Sequence, residues 1–163
     1  MTLKMNRKVD ETDWKLLSEL ESDARQSFSE LGRKVGLSQP ATAERIKNLE
    51  ALGIIRGYRV DVDRTKLGYP ILAFIRMNTD GEKCQALQRN IAELPGVMEC
   101  HRVTGDGSYI IRAALASVDR LEELIDRLLP FGSPTTSIVL STPLALRNVS
   151  PLTTYSVALV KTK

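Results

Sequence analysis

The eleven residues Glu30-Leu-Gly-Arg-Lys-Val-Gly-Leu-Ser-Gln-Pro40 constrain this chain more than any other stretch. Phe28, Leu31 and Val35 share one helical face and predict a short helix from Ser27 or Phe28 to Val35. Gly36 can adopt the positive φ that stops such a helix within one residue. Ser38 then supplies an N-cap for a further helix whose apolar positions are Ala43, Ile46, Leu49 and Leu52, ended by Gly53. Upstream, Asp10 is an N-cap with Asp13 in the first turn, and Val9, Leu16, Leu17 and Leu20 form another apolar stripe. Helix, tight turn and capped helix, packed on a preceding helix, is the helix-turn-helix plan, with the third helix in the recognition position.

The rhythm changes afterwards. Ile54 to Asp61 mixes apolar and basic residues with β-rich composition and reads as an extended wing or hinge strand, punctuated by Gly57, Gly68 and Pro70. Strands are expected at 71–77, 97–104, 109–116 and 135–140. Helices are expected at 82–94, before Pro95-Gly96, and around Leu121, Leu124, Ile125, Leu128 and Leu129. The order β-α-β-β-α-β is the ferredoxin-like arrangement, a four-stranded antiparallel sheet with both helices on one face. The fold class is therefore α+β: a winged helix-turn-helix domain at 1–56, a wing or hinge linker at 57–70, and a ferredoxin-like domain for dimerisation and effector binding at 71–163. Thr154 to Val160 alternates Tyr155, Val157 and Leu159 and predicts an extra strand. Strands one and three carry Ile71 to Ile75 and Ile110, Ile111, Ala113, Ala114 and Leu115, apolar on both faces. The uncovered face calls for a partner, and a second copy of the chain is the economical one.

Composition narrows the class of protein. No stretch of the 163 residues approaches the roughly 18 to 20 consecutive apolar residues of a membrane span, and the opening eight residues lack the apolar core of a signal peptide. The expected location is the cytoplasm. Two separated cysteines, Cys84 and Cys100, and the single His101 support no disulfide scaffold, metal site or catalytic triad. The expectation is a non-enzyme without catalytic residues, metal or cofactor. Net charge is only +3, but residues 9–32 are acidic, whereas 1–8, with Lys4, Arg7 and Lys8, and 33–64 are basic. Such a distribution can turn one cationic face toward a phosphate backbone.

The third helix carries the matching side chains. Gln39 and Asn48 can read adenine and Arg45 guanine; base contacts are expected from Gln39, Thr42, Glu44 and Asn48, and phosphate contacts from Ser38, Lys47 and Arg56. Arg45 flanks the buried stripe and has an alternative role, bracing the first helix through an acid there. Trp14 and Tyr58 are expected to pack between the first helix and the wing. Two rival readings stand beside nucleic-acid binding: a small-molecule-binding sensor whose winged helix contacts a protein, and a ferredoxin-like enzyme built on His101, Asp106 and Tyr109.

Several of these segments resemble the Lrp/AsnC, or feast/famine, transcription regulators. The resemblance lies in Val9-Asp-Glu-Thr-Asp13 with Leu16-Leu17, in Asp23-Ala-Arg25, and in Arg45-Ile-Lys-Asn-Leu-Glu50 with Gly53-Ile-Ile-Arg-Gly-Tyr58. Further along it lies in Leu94-Pro-Gly-Val97, Val103-Thr-Gly-Asp106 and Thr136-Ser-Ile-Val-Leu140. None is specific alone; together, in order, they are. The resemblance implies sequence-specific binding of double-stranded DNA by residues 27–52, a dimer that often assembles to an octamer, and association with the nucleoid. It also implies an amino-acid effector, with Gly105, Asp106, Gly107, Ser108 and Tyr109 as the binding turn, where a Gly-rich backbone can hold a carboxylate. Amino-acid-responsive members usually carry an aspartate immediately before the tyrosine; here Ser108 stands there. That departure implies a ligand that is weaker, different or absent.

Overall fold

A computed structural model describes residues 9–105 and 107–144. The chain divides into two compact units that part between Val60 and Asp61, inside the segment expected to be the linker.

The first unit holds three helices, α1 (Glu11–Ser22), α2 (Phe28–Val35) and α3 (Gln39–Ala51). Asp10 and Asp13 form a reciprocal capping box at the start of α1, and Ser27 and Glu30 form another at α2. Gly36 ends α2 at φ 75°, and the Ser38 side chain caps α3, as the sequence predicts. Leu16, Leu31 and Ile46 form the buried centre, with Leu20, Val35, Leu37 and Ile55 packed around it. The apolar stripe expected on α3 is corrected in part. Thr42, Ile46 and Leu49 are buried, whereas Ala43 is half-buried and Leu52 is 40% exposed. Thr42 can enter the core because its hydroxyl donates to the Ser38 carbonyl at 2.9 Å, which satisfies its polarity within the helix. Among the described residues, 54–61 pair with no strand; Tyr58, Val60 and Val62 are exposed.

The second unit runs β1 (Ile71–Asn78), α4 (Gly81–Asn90), β2 (Val97–Arg102), β3 (Tyr109–Leu115), α5 (Val118–Leu128) and β4 (Ser133–Ile138). Short 3-10 turns at Ile91–Glu93 and Leu129–Phe131 finish the two helical segments. The strands form one antiparallel sheet in the order β2-β3-β1-β4, the ferredoxin-like topology. Alternation sends Ala73, Ile75 and Met77 of β1, and Tyr109, Ile111, Ala113 and Leu115 of β3, toward Leu87 of α4 and Leu121, Leu124 and Leu128 of α5.

The other sheet face is less apolar than expected. Leu72, Phe74 and Ile110 lie there, but Arg76 and Arg112 alternate with them. Arg112 donates to Glu99 of the neighbouring strand at 2.9 Å. The expected strand at 154–160 and the basic residues Lys4, Arg7 and Lys8 lie outside the described residues.

Candidate nucleic-acid interface

The turn between α2 and α3 is fixed by a close approach at Gly32. A Cβ built there would lie 2.5 Å from the Leu37 carbonyl oxygen and 2.9 Å from Thr42 Oγ1. Only a residue without a side chain lets α2 and α3 meet at this distance. Opposite the buried stripe of α3, at 3.6 residues per turn, stand Pro40, Glu44, Lys47 and Ala51, all exposed. Ser38 and Gln39 are exposed at the N-terminal end, and Asn48 is half-buried on the flank. Arg56 is exposed beyond the helix.

Two members of the expected contact set are corrected. Thr42 is fully buried, its hydroxyl is bonded to Ser38, and it packs beside Gly32, so it cannot reach DNA. Arg45 turns away from the exposed face. Its Nη1 donates to Asp10 Oδ2 and Asp13 Oδ1, both at 2.7 Å, and its side chain is only 25% exposed. The hydrogen bonds to Asp10 and then Asp13 raise its pKa further above the ordinary arginine value. The alternative reading of Arg45, as a brace to the first helix, is the one the geometry supports.

Sequence reasoning missed two other features. The Tyr58 hydroxyl donates to Glu50 at 2.8 Å, tying the segment after α3 to the end of that helix. Burial, followed by this bond to a carboxylate, pushes the phenol up to about 12. Trp14, expected to pack with it, is half-buried on α1. Arg25 and Arg33, with Gln26, Glu30 and Lys34, line a polar cleft of about 570 Å³ between the end of α1 and α2. Their proximity to the tight turn was the available signal.

The expected effector turn is rearranged by its own fold. Ser108 Oγ donates to the Thr79 carbonyl at 2.7 Å, and the Ser108 N–H donates to the Met77 carbonyl at 2.8 Å. Tyr109 is 3% exposed, with its hydroxyl against Cys84 Sγ and bonded by Gln88. The bond with Cys84 and burial raise its pKa. The Tyr109 side chain therefore points into the core, while the half-buried Ser108 ties the turn to the end of β1. Asp106 lies outside the described residues, and Gly105 and Gly107 supply main chain only. His101, paired in register with Ile110, projects from the sheet face opposite Tyr109, so the enzyme arrangement of His101, Asp106 and Tyr109 is not assembled. Among the described residues, no cluster of three or more His, Cys, Asp or Glu could hold a metal, and no helix is long and apolar enough to cross a membrane.

A three-helix unit with a capped, outward-facing third helix, followed by a ferredoxin-like sheet unit, defines a helix-turn-helix protein with a second, α+β domain. Comparison with known proteins makes this specific. Residues 9–50 match the AsnC-type helix-turn-helix domain, and residues 72–149 match the Lrp/AsnC ligand binding domain. The HTH-type transcriptional regulator LrpC of Bacillus subtilis is 32% identical over 134 residues, covering 82% of this chain and 93% of that protein. Its solved structure superposes with a TM-score of 0.80 at 32% identity, over 83% of this chain and 97% of that one. The feast or famine regulatory protein of M. tuberculosis, complexed with L-methionine, superposes with a TM-score of 0.79 at 28% identity, over 88% and 100% of the two chains. The chain belongs to the Lrp/AsnC family of transcription regulators, whose members are not enzymes.

Proposed function

We propose that this regulator reads double-stranded DNA through the outward surface of α3. The observation that carries the reading is the division of that helix: Thr42, Ile46 and Leu49 are buried on one side, Glu44 and Lys47 are exposed on the other, and Gln39 is exposed at its N-terminal end. Gln39, Glu44 and Asn48 supply groups that can contact base edges, and Ser38, Lys47 and Arg56 supply phosphate contacts. Arg33, from the preceding helix, adds a cation where a first helix crosses the backbone.

The working unit in this reading is a homodimer, with further assembly to an octamer. The face of the sheet away from its helices bears Phe74, 42% exposed, beside Leu72 and Ile110. A second copy meeting it would cover these groups and pair two recognition helices about a two-fold axis. An amino acid is the effector class favoured here, supported by the L-methionine complex of the M. tuberculosis relative. With the Tyr109 side chain in the core and Gly107 buried, its contacts on the turn would come from the main chain at Gly105 and from the half-buried Ser108. The place of action is the cytoplasm, on the nucleoid.

The test begins by selecting the best duplex for the full chain from a random pool. Its affinity is then compared with that of a scrambled duplex across a salt series, with and without L-methionine. Preference for the selected duplex is expected. Lys47→Ala should flatten the slope of log affinity against log salt by about one. Asn48→Ala should lower affinity for the selected duplex alone. No preference in the wild-type chain overturns the DNA reading, and affinity unchanged by L-methionine removes that amino acid as effector.

A further inference from the structure

We propose that Arg45 is a positioning residue, which sets the rotation of α3 about its own axis through the carboxylates at the start of α1 and does not itself touch DNA. This inference rests on the DNA-binding reading above. Three contacts carry it: Arg45 Nη1 donates to Asp10 Oδ1 at 3.0 Å, to Asp10 Oδ2 at 2.7 Å and to Asp13 Oδ1 at 2.7 Å.

The carboxylates form a socket that is ordered locally. Asp10 Oδ1 accepts the Asp13 N–H at 2.9 Å, and Asp13 Oδ2 accepts the Asp10 N–H at 3.1 Å. The capping box that starts α1 thus also holds the guanidinium of α3. Asp13 is 2% exposed, so its charge requires a partner of opposite sign, and Arg45 supplies one from a different helix.

The apolar contacts of α3 cannot do this alone. Thr42, Ile46 and Leu49 form a narrow stripe along a cylinder, and such a stripe resists separation more than it resists rolling. With side-chain tips about 5 to 6 Å from the helix axis, a roll of roughly 36° would carry them about 3 to 4 Å sideways. That displacement exceeds the tolerance of any hydrogen bond to a base edge. Arg45 lies on the flank of the stripe, where a directional bond opposes rolling, and Asn48 lines the same groove beside Val9, Asp13 and Leu52. A base-reading candidate therefore stands next to the clamp.

The decisive variant is Asp13→Asn. Removing a carboxylate beside a polyanion should, by charge alone, tighten binding to every duplex. Positioning demands the opposite for the selected sequence. The expected result, with the full chain, is at least a tenfold fall in the ratio of selected to scrambled affinity, while scrambled affinity holds or rises. Arg45→Met alone leaves Asp13 buried without this partner and is expected to fold poorly. The double variant Asp13→Asn/Arg45→Met removes both charges, and circular dichroism checks its fold. It should show the same ratio loss as Asp13→Asn, not the product of two losses, and a wild-type salt slope. Arg45→Lys, which lacks the planar fork, should recover only part of the ratio.

A salt slope flattened by about one in the double variant would place Arg45 on a phosphate and overturn the proposal. A wild-type ratio in a folded Asp13→Asn chain would overturn it as well, as would failure of both Asp13→Asn and the double variant to fold, which would make the contact merely structural. A wild-type chain that shows no sequence preference fails the DNA reading itself, a result separable from all of these.

Discussion

The two units of this chain are held together by different means. Among the described residues, eleven buried side chains from the two central strands β1 and β3, one face of α4 and one face of α5 fuse into a single cluster in the sheet unit. The helical unit has three, Leu16, Leu31 and Ile46. It adds two capping boxes, the Ser38 cap, the Gly32 approach and the Arg45 ion pairs. A small unit cannot bury enough apolar area to specify a single geometry, so directional contacts complete the task. Burial is nearly indifferent to angle, whereas hydrogen bonds are not. The difference suits the roles: a scaffold needs adhesion, and a helix that meets base pairs needs a fixed orientation.

The largest test of this contrast is Ile111→Ala. The side chain is fully buried between sheet and helices, and its truncation should cost about 2 to 5 kcal/mol in urea denaturation. A loss below about 1 kcal/mol would show that the sheet core closes around the cavity, and the contrast would fail. Gly32→Ala attacks the helical unit at its closest contact. The new Cβ meets a backbone carbonyl at 2.5 Å that cannot swing aside, so about 1 to 3 kcal/mol should be lost. An unchanged melting temperature would mean that α2 and α3 can shift apart without penalty.

The smallest effect is expected at Tyr58. Its phenol titrates at about 12 in the folded chain, against about 10 for a free tyrosine. Because the raised value favours the neutral form, its stabilisation is complete below pH of about 10 and is lost as pH rises toward about 12. Ultraviolet absorbance of the phenolate should show late titration of Tyr58 and of the buried Tyr109, and Tyr58→Phe should remove the Tyr58 component. Glu50→Gln should move that midpoint only part of the way down, since burial is the larger cause. A complete return would assign the shift to the carboxylate alone.

Much of this architecture was legible in the sequence because its signals are local. Gly36 and Ser38 announce a stop and a start through their own backbone preferences, and the stripe Leu121, Leu124, Leu128 needs only periodicity. The failures share another cause. Thr42 reads as polar, yet a bond to its own helix hides the hydroxyl. Ser108 reads as a member of an effector turn, yet its hydroxyl bonds to Thr79, 29 residues away in sequence. Arg45 resembles a base reader in composition, and only the distance to Asp10 and Asp13 decides its role. Polarity marks a group that needs a partner without saying where that partner lies.

The close approach at Gly32 also bears on redesign. A recognition helix grafted from a relative would have to arrive with a small residue at position 32, a self-satisfied one at 42 and a cation at 45, or its seat would be lost. The outward positions 40, 44, 47 and 51 carry no such obligation. In this reading, retargeting the protein to a new sequence means rewriting Gln39, Glu44 and Asn48 on a helix whose reverse side must be copied unchanged.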